Sequence, residues 1–275
     1  MRLLSNNMGL EEIINDRVSF GNFQIRCFLI LCLIDMNDGV ELVLSSLLNP
    51  IIKASFPGVT NSYVSSLASI FYAGILVGSL SSGLLSDKYG RRRLIIYGSI
   101  VQIGVSALFY LVYSLEVMLV LRFMYGFSFG FTVAITSTMF AEISPQKYRG
   151  KGVLLINFCI SLGKIYAVLL GYVFIEQDLK DTNWKLMMLC GGLPNVIVFI
   201  GSYFILEESP RFLLANQRYD EGFDTLNKMI EINHGNNNES PLTLDEKVSL
   251  RSEFTSARLT TSNHNHMSYN ALFSE

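Results

Sequence analysis

Long apolar stretches separated by short polar segments occupy the first three quarters of the chain. Six of these stretches are long enough to cross a bilayer, whose hydrocarbon core of about 30 Å requires roughly 20 apolar residues in a helix. A backbone inside lipid must satisfy its own hydrogen bonds, so each stretch is expected to be helical. The predicted spans cover residues 26–48, 64–85, 94–113, 117–139, 152–174 and 185–206.

The distribution of Lys and Arg between the connecting segments orients these spans. Ten basic residues lie in residues 1–26, 86–93 and 147–151, whereas the segments on the other side carry three. Because short cytoplasmic segments are enriched in Lys and Arg, the first group is assigned to the cytoplasm. The sequence therefore predicts a multi-pass membrane protein with both termini cytoplasmic.

The predicted transmembrane bundle covers residues 26–206, and the segments before and after it differ from the bundle in composition. Residues 1–25 are polar, with no short apolar core or cleavage site, so no removable signal peptide is expected. Residues 207–235 place apolar side chains at helical spacing between charges, which predicts cytoplasmic amphipathic helices. Residues 236–275 are rich in Asn, Ser and Thr. We expect a flexible cytoplasmic tail there, with a short helix near residues 244–259.

The overall composition agrees with a membrane protein and narrows the functional classes. Half of the residues are hydrophobic, 16% are charged, and the net charge is −2. This charge gives no basis for nucleic-acid binding. No nucleophile–base set or phosphate-binding loop is recognisable, so neither an enzyme nor a bound cofactor is expected.

The cysteines suggest neither a metal site nor a disulfide framework. All of them fall inside apolar runs, without C-x-x-C spacing and without a histidine nearby. We therefore expect small, buried, unreactive thiols and no bound metal. The residues concerned are Cys27, Cys32, Cys159 and Cys190.

Five charged residues lie within the predicted spans and away from their ends. Asp35, Asp38 and Glu41 are spaced by three on the first span, within an arc of roughly 120°. Arg122 and Lys164 lie on the fourth and fifth spans. Five such charges facing lipid would cost about 12–17 kcal/mol, so they are expected to face inward, pair or titrate. Three acids against two bases leave one carboxyl for proton coupling. The alternative is a static charge network that holds the helices together.

Small residues four apart predict close helix contacts. Gly74 and Gly78 show this spacing on the second span, and Gly126 and Gly130 show it on the fourth. Such spacing lets two helix backbones approach each other in lipid. Packing within the chain is favoured over a dimerisation surface.

Polar side chains within the spans are candidates for a central substrate cavity. For each of them alone, a packing role explains the position equally well. An acidic lining favours a cationic or zwitterionic solute, whereas a lysine favours a carboxylate, and the pattern does not choose between them. The candidates are Tyr72, Gln102, Thr132, Asn157 and Lys164.

Four motifs, in order along the chain, resemble signatures of the sugar-porter-like members of the major facilitator superfamily. Each lies at the expected helix end, and together they span roughly residues 20–232. The run from Asn37 to Glu41 is similar to an acidic run of the synaptic-vesicle-transporter-like branch. The motifs contain Gly83, Asp87, Lys88, Gly90, Arg91 and Arg92 after the second span, Arg122 on the fourth, Glu142 and Arg149 before the fifth, and Glu208 and Arg211 after the sixth.

This resemblance implies an all-α membrane fold, namely the six-helix N-terminal bundle of the major facilitator fold with added cytoplasmic helices. It implies secondary active, proton-coupled or facilitative transport of a small organic solute by alternating access. Asp38 would be the protonation site and Arg122 its coupled partner, with Asp35 and Glu41 beside them. A cytoplasmic gate would contain the charges of the loop motifs, which are Asp87, Arg91, Glu142, Arg149, Glu208 and Arg211.

The chain also departs from the pattern of that family. Lys164 is not part of it, Glu207 replaces a proline, and the short loop 49–63 disfavours the organic-cation branch. Residues 271–275 resemble the segment before a seventh helix, so a second six-helix half is an expected partner. The other expected partners are the lipid bilayer, the solute and protons. The alternative is a non-transporting half-transporter that acts as a membrane scaffold or regulatory subunit.

Overall fold

A computed structural model describes residues 9–56, 58–112, 114–179, 182–235 and 240–256. Helices form the regular structure of these ranges, and no strand occurs in them. The chain folds as two compact units. The first contains Met1–Gln24, Glu142–Tyr148 and Glu208–Glu275, and the second contains Ile25–Ala141 and Arg149–Glu207.

Long helices build the second unit. Within the described residues, five of them, α3 to α7, are long and apolar enough to cross a membrane. The remaining one, α2, is 34 residues long and carries the three acids of the first predicted span. The helices extend beyond the predicted spans at most ends. Their bounds are α2 Asn22–Ser55, α3 Asn61–Tyr89, α4 Arg91–Leu111, α5 Leu115–Ile143, α6 Gln146–Phe174 and α7 Trp184–Phe204.

Close backbone contacts hold α3 against α5 at the predicted glycines. A Cβ atom added to Gly74 would lie 2.4 Å from the carbonyl oxygen of Phe123, and one on Gly130 would lie 2.2 Å from that of Ile75. No larger residue fits at these distances, so the small-residue spacing serves packing within the chain, as predicted.

Gly90 accounts for the one-residue connection between α3 and α4. Its φ of 95° lies in a region that residues with a Cβ atom rarely adopt. Its N–H donates to the carbonyl of Ser86 and ends α3, and α4 begins at the next residue. The glycine of the loop motif is therefore required by the backbone.

The first unit contains short helices and both chain ends as far as they are described. It consists of α1 (Leu10–Glu12), a π-helical turn (Ile13–Val18), α8 (Pro210–Ala215), α9 (Tyr219–His234) and α10 (residues 244–256). In α8, Ser209 caps the first turn and Pro210 occupies the first position, a typical helix start.

Contacts between the two chain ends organise this unit. Arg17 forms an ion pair with Glu246 at 3.1 Å, and the N–H of Leu10 donates to Glu253 at 3.0 Å. The tail was predicted to be flexible apart from a helix, and the structure places residues 244–256 as a helix against the N-terminal segment. Residues 236–239 and 257–275 of the predicted tail lie outside the described residues.

Candidate functional site: a buried charge cluster

The three acids of α2 are all inside the second unit. Asp35, Asp38 and Glu41 are 1%, 0% and 2% exposed. Their spacing of three residues on a helix of 3.6 residues per turn keeps them near one face. That face meets α4 and α5, which supply the polar groups described below.

The contacts between α2 and α5 follow an antiparallel register. Residue 35 contacts residue 136, residue 38 contacts residue 132, and residue 41 contacts residue 122. As the number rises on α2, it falls on α5. This register decides which acid of α2 meets which polar group of α5.

Arg122 forms its ion pair with Glu41. Its Nη1 donates to Oε1 of Glu41 at 2.6 Å and to Oγ of Ser45 at 2.7 Å, and its guanidinium lies 5.3 Å from the ring centre of Phe109. The family resemblance implied Asp38 as the partner of Arg122, and the structure differs. Because the antiparallel register places Arg122 beyond the Glu41 end of the acidic series, the glutamate is the acid within reach of its side chain.

Asp38 and Asp35 accept hydrogen bonds from neutral groups. Oδ1 of Asp38 accepts from the amide of Gln102, and Oδ2 accepts from the hydroxyl of Thr132, both at 3.4 Å. Oδ1 of Asp35 accepts from the hydroxyl of Thr136 at 2.9 Å. Oδ2 of Asp35 is buried and has no hydrogen-bond partner among the residues that the structure describes.

The charge balance of the interior is more acidic than the sequence suggested. Lys164 is exposed on α6 and so does not enter the cluster. Arg122 is the one cation among the buried residues of the described ranges. Two carboxyls, rather than one, therefore remain without a buried basic partner.

The predicted cavity residues divide into two groups. Gln102 and Thr132 are buried and hydrogen bond to Asp38. Tyr72 is 61% exposed on α3, and Asn157 and Lys164 are exposed on α6, where the Asn157 amide donates to its own helix. The structure thus joins two of the five to the charge cluster and leaves three on the surface of the unit.

One polar pair of the interior was missed by the sequence analysis. The amide of Asn195 on α7 donates to the hydroxyl of Tyr125 on α5 at 3.4 Å, and both residues are 1% exposed. The available signal was an asparagine after Pro194 in the middle of an otherwise apolar span.

The predicted gate residues belong to different units. In the second unit, Arg91 pairs with Asp87 at 3.1 Å, and Nη2 of Arg92 donates to the carbonyl of Tyr203 at 2.6 Å. Arg149 also belongs to this unit. In the first unit, Glu208 accepts from the backbone N–H of Ser209 at 3.1 Å. That unit also contains Glu142 and Arg211.

Lys88 and Gly83 belong to the same loop motif as Asp87. The ammonium of Lys88 lies over the ring of Tyr89, and a Cβ atom on Gly83 would meet nothing within 4 Å. Cys27 is buried as predicted. The other three cysteines are partly exposed, contrary to the expectation of buried thiols. Within the described ranges, no group of three His, Cys, Asp or Glu side chains could hold a metal ion.

Sequence comparison shows that the chain resembles transporters. Residues 28–274 match the sequence profile of the family described as Sugar (and other) transporter. The synaptic vesicle 2-related protein of Xenopus laevis is 29% identical over 240 residues, which are 86% of this chain and 41% of that protein. The glucose transporter GlcP of Staphylococcus epidermidis is 32% identical over 151 residues, which are 55% of this chain and 33% of GlcP.

A third relative is the proton myo-inositol cotransporter hmit-1.2 of Caenorhabditis elegans. It is 30% identical over 163 residues, which are 59% of this chain and 26% of that protein. The chain therefore spans less than half the length of each of these curated relatives.

Solved structures agree with the fold. The partially occluded, inward-open xylose transporter XylE of E. coli aligns with a TM-score of 0.70 at 16% identity, over 88% of this chain and 60% of that one. The major facilitator superfamily proton:xylose symporter XylE bound to 6-bromo-6-deoxy-D-glucose aligns with a TM-score of 0.68 at 16% identity, over 86% of this chain and 51% of that one. This likeness confirms the predicted all-α membrane fold of the major facilitator type.

Proposed function

The chain belongs to the sugar (and other) transporter family, and on this basis we propose that it contributes the N-terminal six-helix half of a proton-coupled transporter. The transported solute is a sugar or another small organic molecule, and transport proceeds by alternating access. In such transporters the substrate and ion sites lie near the middle of the membrane, between two halves that rock against each other.

The observation that carries this proposal is the excess of buried acid in the second unit. Three carboxyls share the interior with one guanidinium among the buried described residues. A buried carboxylate without a cation is costly, so such a group carries a proton when its surroundings are dry and releases it when water enters. Alternating access supplies that change of surroundings.

Asp38 is the proposed proton carrier. It is completely buried, and its two carboxyl oxygens face the amide of Gln102 and the hydroxyl of Thr132. These donors stabilise the charged form after the proton leaves, and they add no fixed positive charge that would keep the group permanently ionised. Asp35, three residues earlier, is the second candidate.

Glu41 and Arg122 have a different role in this proposal. Their ion pair is buried, short and joined by Ser45. Each charge satisfies the other, so the pair ties α2 to α5 and keeps Asp38 level with Thr132. We assign it a positioning role rather than proton transfer.

The proposed substrate class comes from the relatives. The names of three similar proteins refer to glucose, xylose and myo-inositol. A sugar or polyol is therefore the first class to test, and the surface residues Tyr72, Asn157 and Lys164 are candidates for lining a cavity completed by a second half. The Lys and Arg distribution further supports cytoplasmic termini.

Uptake into vesicles tests the proposal. Membrane vesicles from cells that express the complete gene are given radiolabelled glucose, xylose or myo-inositol, with and without an inward proton gradient. The proton gradient should drive accumulation in the wild type. Asp38→Asn should abolish that accumulation and leave exchange of labelled for unlabelled solute intact, because exchange needs no net proton movement.

A matched control is Glu116→Gln, which neutralises an exposed acid on the first turn of α5. This variant should accumulate solute as the wild type does. Accumulation by Asp38→Asn at the wild-type level would overturn the role of Asp38. Failure of the wild type to take up any of the three solutes would overturn the proposed substrate class.

A further inference from the structure

Helices α2 and α6 cross in direct backbone contact. A Cβ atom added to Gly39 would lie 2.0 Å from the carbonyl oxygen of Ile160, and one on Gly163 would lie 1.7 Å from that of Met36. Glycine on each side of the crossing removes the side chains that would otherwise separate two helices. The two backbones therefore touch without side chains between them.

Two cysteines face each other at this crossing. Cys32 lies one turn before Met36 on α2, and Cys159 directly precedes Ile160 on α6. Gly163 of α6 lies against Met36 of α2, and Gly171 lies against Leu47, so the two helices run parallel. Cys32 and Cys159 each lie one turn before the first of these contacts and therefore come side by side. Both side chains are partly exposed, so small molecules can reach them without unfolding of the unit.

This arrangement favours a disulfide bond. Two cysteines can be joined without backbone movement only when their Cα atoms are about 4.4–6.8 Å apart and their Cβ atoms point toward each other. A backbone crossing at paired glycines supplies the short separation, and the shared position one turn before Met36 and Gly163 places both cysteines on the facing sides of their helices. The other two cysteines, Cys27 and Cys190, have no comparable contact among the described residues.

We propose that Cys32 and Cys159 form a reversible disulfide between α2 and α6, with a hydroperoxide as the oxidant. The first thiol attacks the peroxide, becomes a sulfenic acid and releases one alcohol, or water from hydrogen peroxide. The second thiol attacks the sulfenic sulfur and releases water. Two thiols and one hydroperoxide thus give one disulfide, one alcohol and one water, and the peroxide accepts both electrons.

The bond would act on the helix that carries the acid cluster. Cys32 is three residues before Asp35, so a covalent link at this position fixes the helix that carries the acids against α6. A thiol reductant reverses the link by thiol–disulfide exchange. The modification is independent of the proposed transport activity and can be measured without a substrate.

Thiol counting in the membrane tests this proposal. The chain with Cys27→Ser and Cys190→Ser retains only the proposed pair. It is treated in membranes with tert-butyl hydroperoxide, denatured, and labelled with maleimide-polyethylene glycol, which adds one gel shift per free thiol. We expect two labels before oxidation, none after it, and two again after reduction. Mass spectrometry of the unreduced digest should find the peptide of Cys32 linked to that of Cys159.

The matched control leaves Cys27 and Cys159 by replacing Cys32 and Cys190 with serine, and it should keep two labels under the same oxidation. Persistence of both labels in the test chain would overturn the proposal. So would a loss that reduction does not restore, because that indicates sulfinic or sulfonic acids. Links found only between two copies of the chain would also overturn it.

Discussion

Replacing Glu41 by glutamine removes the anionic partner of Arg122 while preserving the size of the side chain. In the structure, Arg122 is 1% exposed and donates to Glu41 at 2.6 Å. After the substitution its guanidinium keeps Ser45 and the ring of Phe109, and neither carries a charge. The variant therefore contains a buried and uncompensated cation.

The expected cost follows from the burial of both partners. Breaking a buried ion pair by removing one member costs about 3–5 kcal/mol, whereas an exposed pair is worth at most about 1 kcal/mol. For a protein of 150–250 residues, each kcal/mol shifts the melting temperature by roughly 2–4 °C. Glu41→Gln should thus lower it by roughly 6–20 °C.

Two further variants test whether the loss of stability comes from the broken ion pair between Glu41 and Arg122. The double variant Glu41→Gln with Arg122→Met removes both charges, and it should recover most of the stability because no unpaired charge remains. Asp38→Asn, which keeps contact with Gln102 and Thr132, should change stability by less than about 1 kcal/mol. The measurement is thermal unfolding of the purified protein in detergent, followed by circular dichroism.

The reasoning would be refuted by either of two results. A loss below about 1 kcal/mol for Glu41→Gln would mean that the pair is hydrated like a surface ion pair. A larger loss for Asp38→Asn than for Glu41→Gln would mean that Asp38 is the true partner of Arg122, as the family resemblance implied.

Two glycines allow further tests of the fold by the same unfolding measurement. Gly163→Ala should destabilise the protein by about 1–3 kcal/mol or more, because the added Cβ atom would lie 1.7 Å from a backbone oxygen of α2. The control Gly104→Ala, whose Cβ atom would meet nothing within 4 Å, should not destabilise it. Equal effects of the two substitutions would contradict the α2–α6 crossing. Gly90→Ala should cost about 1–2 kcal/mol of stability, because Gly90 has a φ of 95°. The control Gly83→Ala, inside α3 and with open space around the added Cβ atom, should be neutral or stabilising. Unchanged stability of Gly90→Ala would mean that this position does not require glycine.

The helices and their membrane character were predictable because they depend on local patterns. An apolar run of about 20 residues can satisfy its backbone in lipid only as a helix, whatever its neighbours are. The burial of the α2 acids was predictable for a similar reason, since charges cannot face lipid cheaply. The glycine pairs of α3 and α5 also indicated a close contact correctly.

The partners of the buried charges depend on three-dimensional arrangement. The family resemblance implied Asp38 as the partner of Arg122, and the α2–α5 register selects Glu41. Lys164 was counted with the interior charges because its span is apolar, but the rotation of α6 leaves it exposed. No pattern within one helix states how far that helix is rotated against its neighbours.

The sequence by itself thus determined which segments are helices, which of them suit a membrane and which residues must avoid lipid, because each of these follows from the free energy of transferring single groups. Only the tertiary structure decided which acid pairs with Arg122, that Asp38 meets Gln102 and Thr132, and that Cys32 and Cys159 lie beside the same helix crossing. These contacts join residues 64 to 127 positions apart, and they depend on the register and rotation of packed helices rather than on any single stretch of chain.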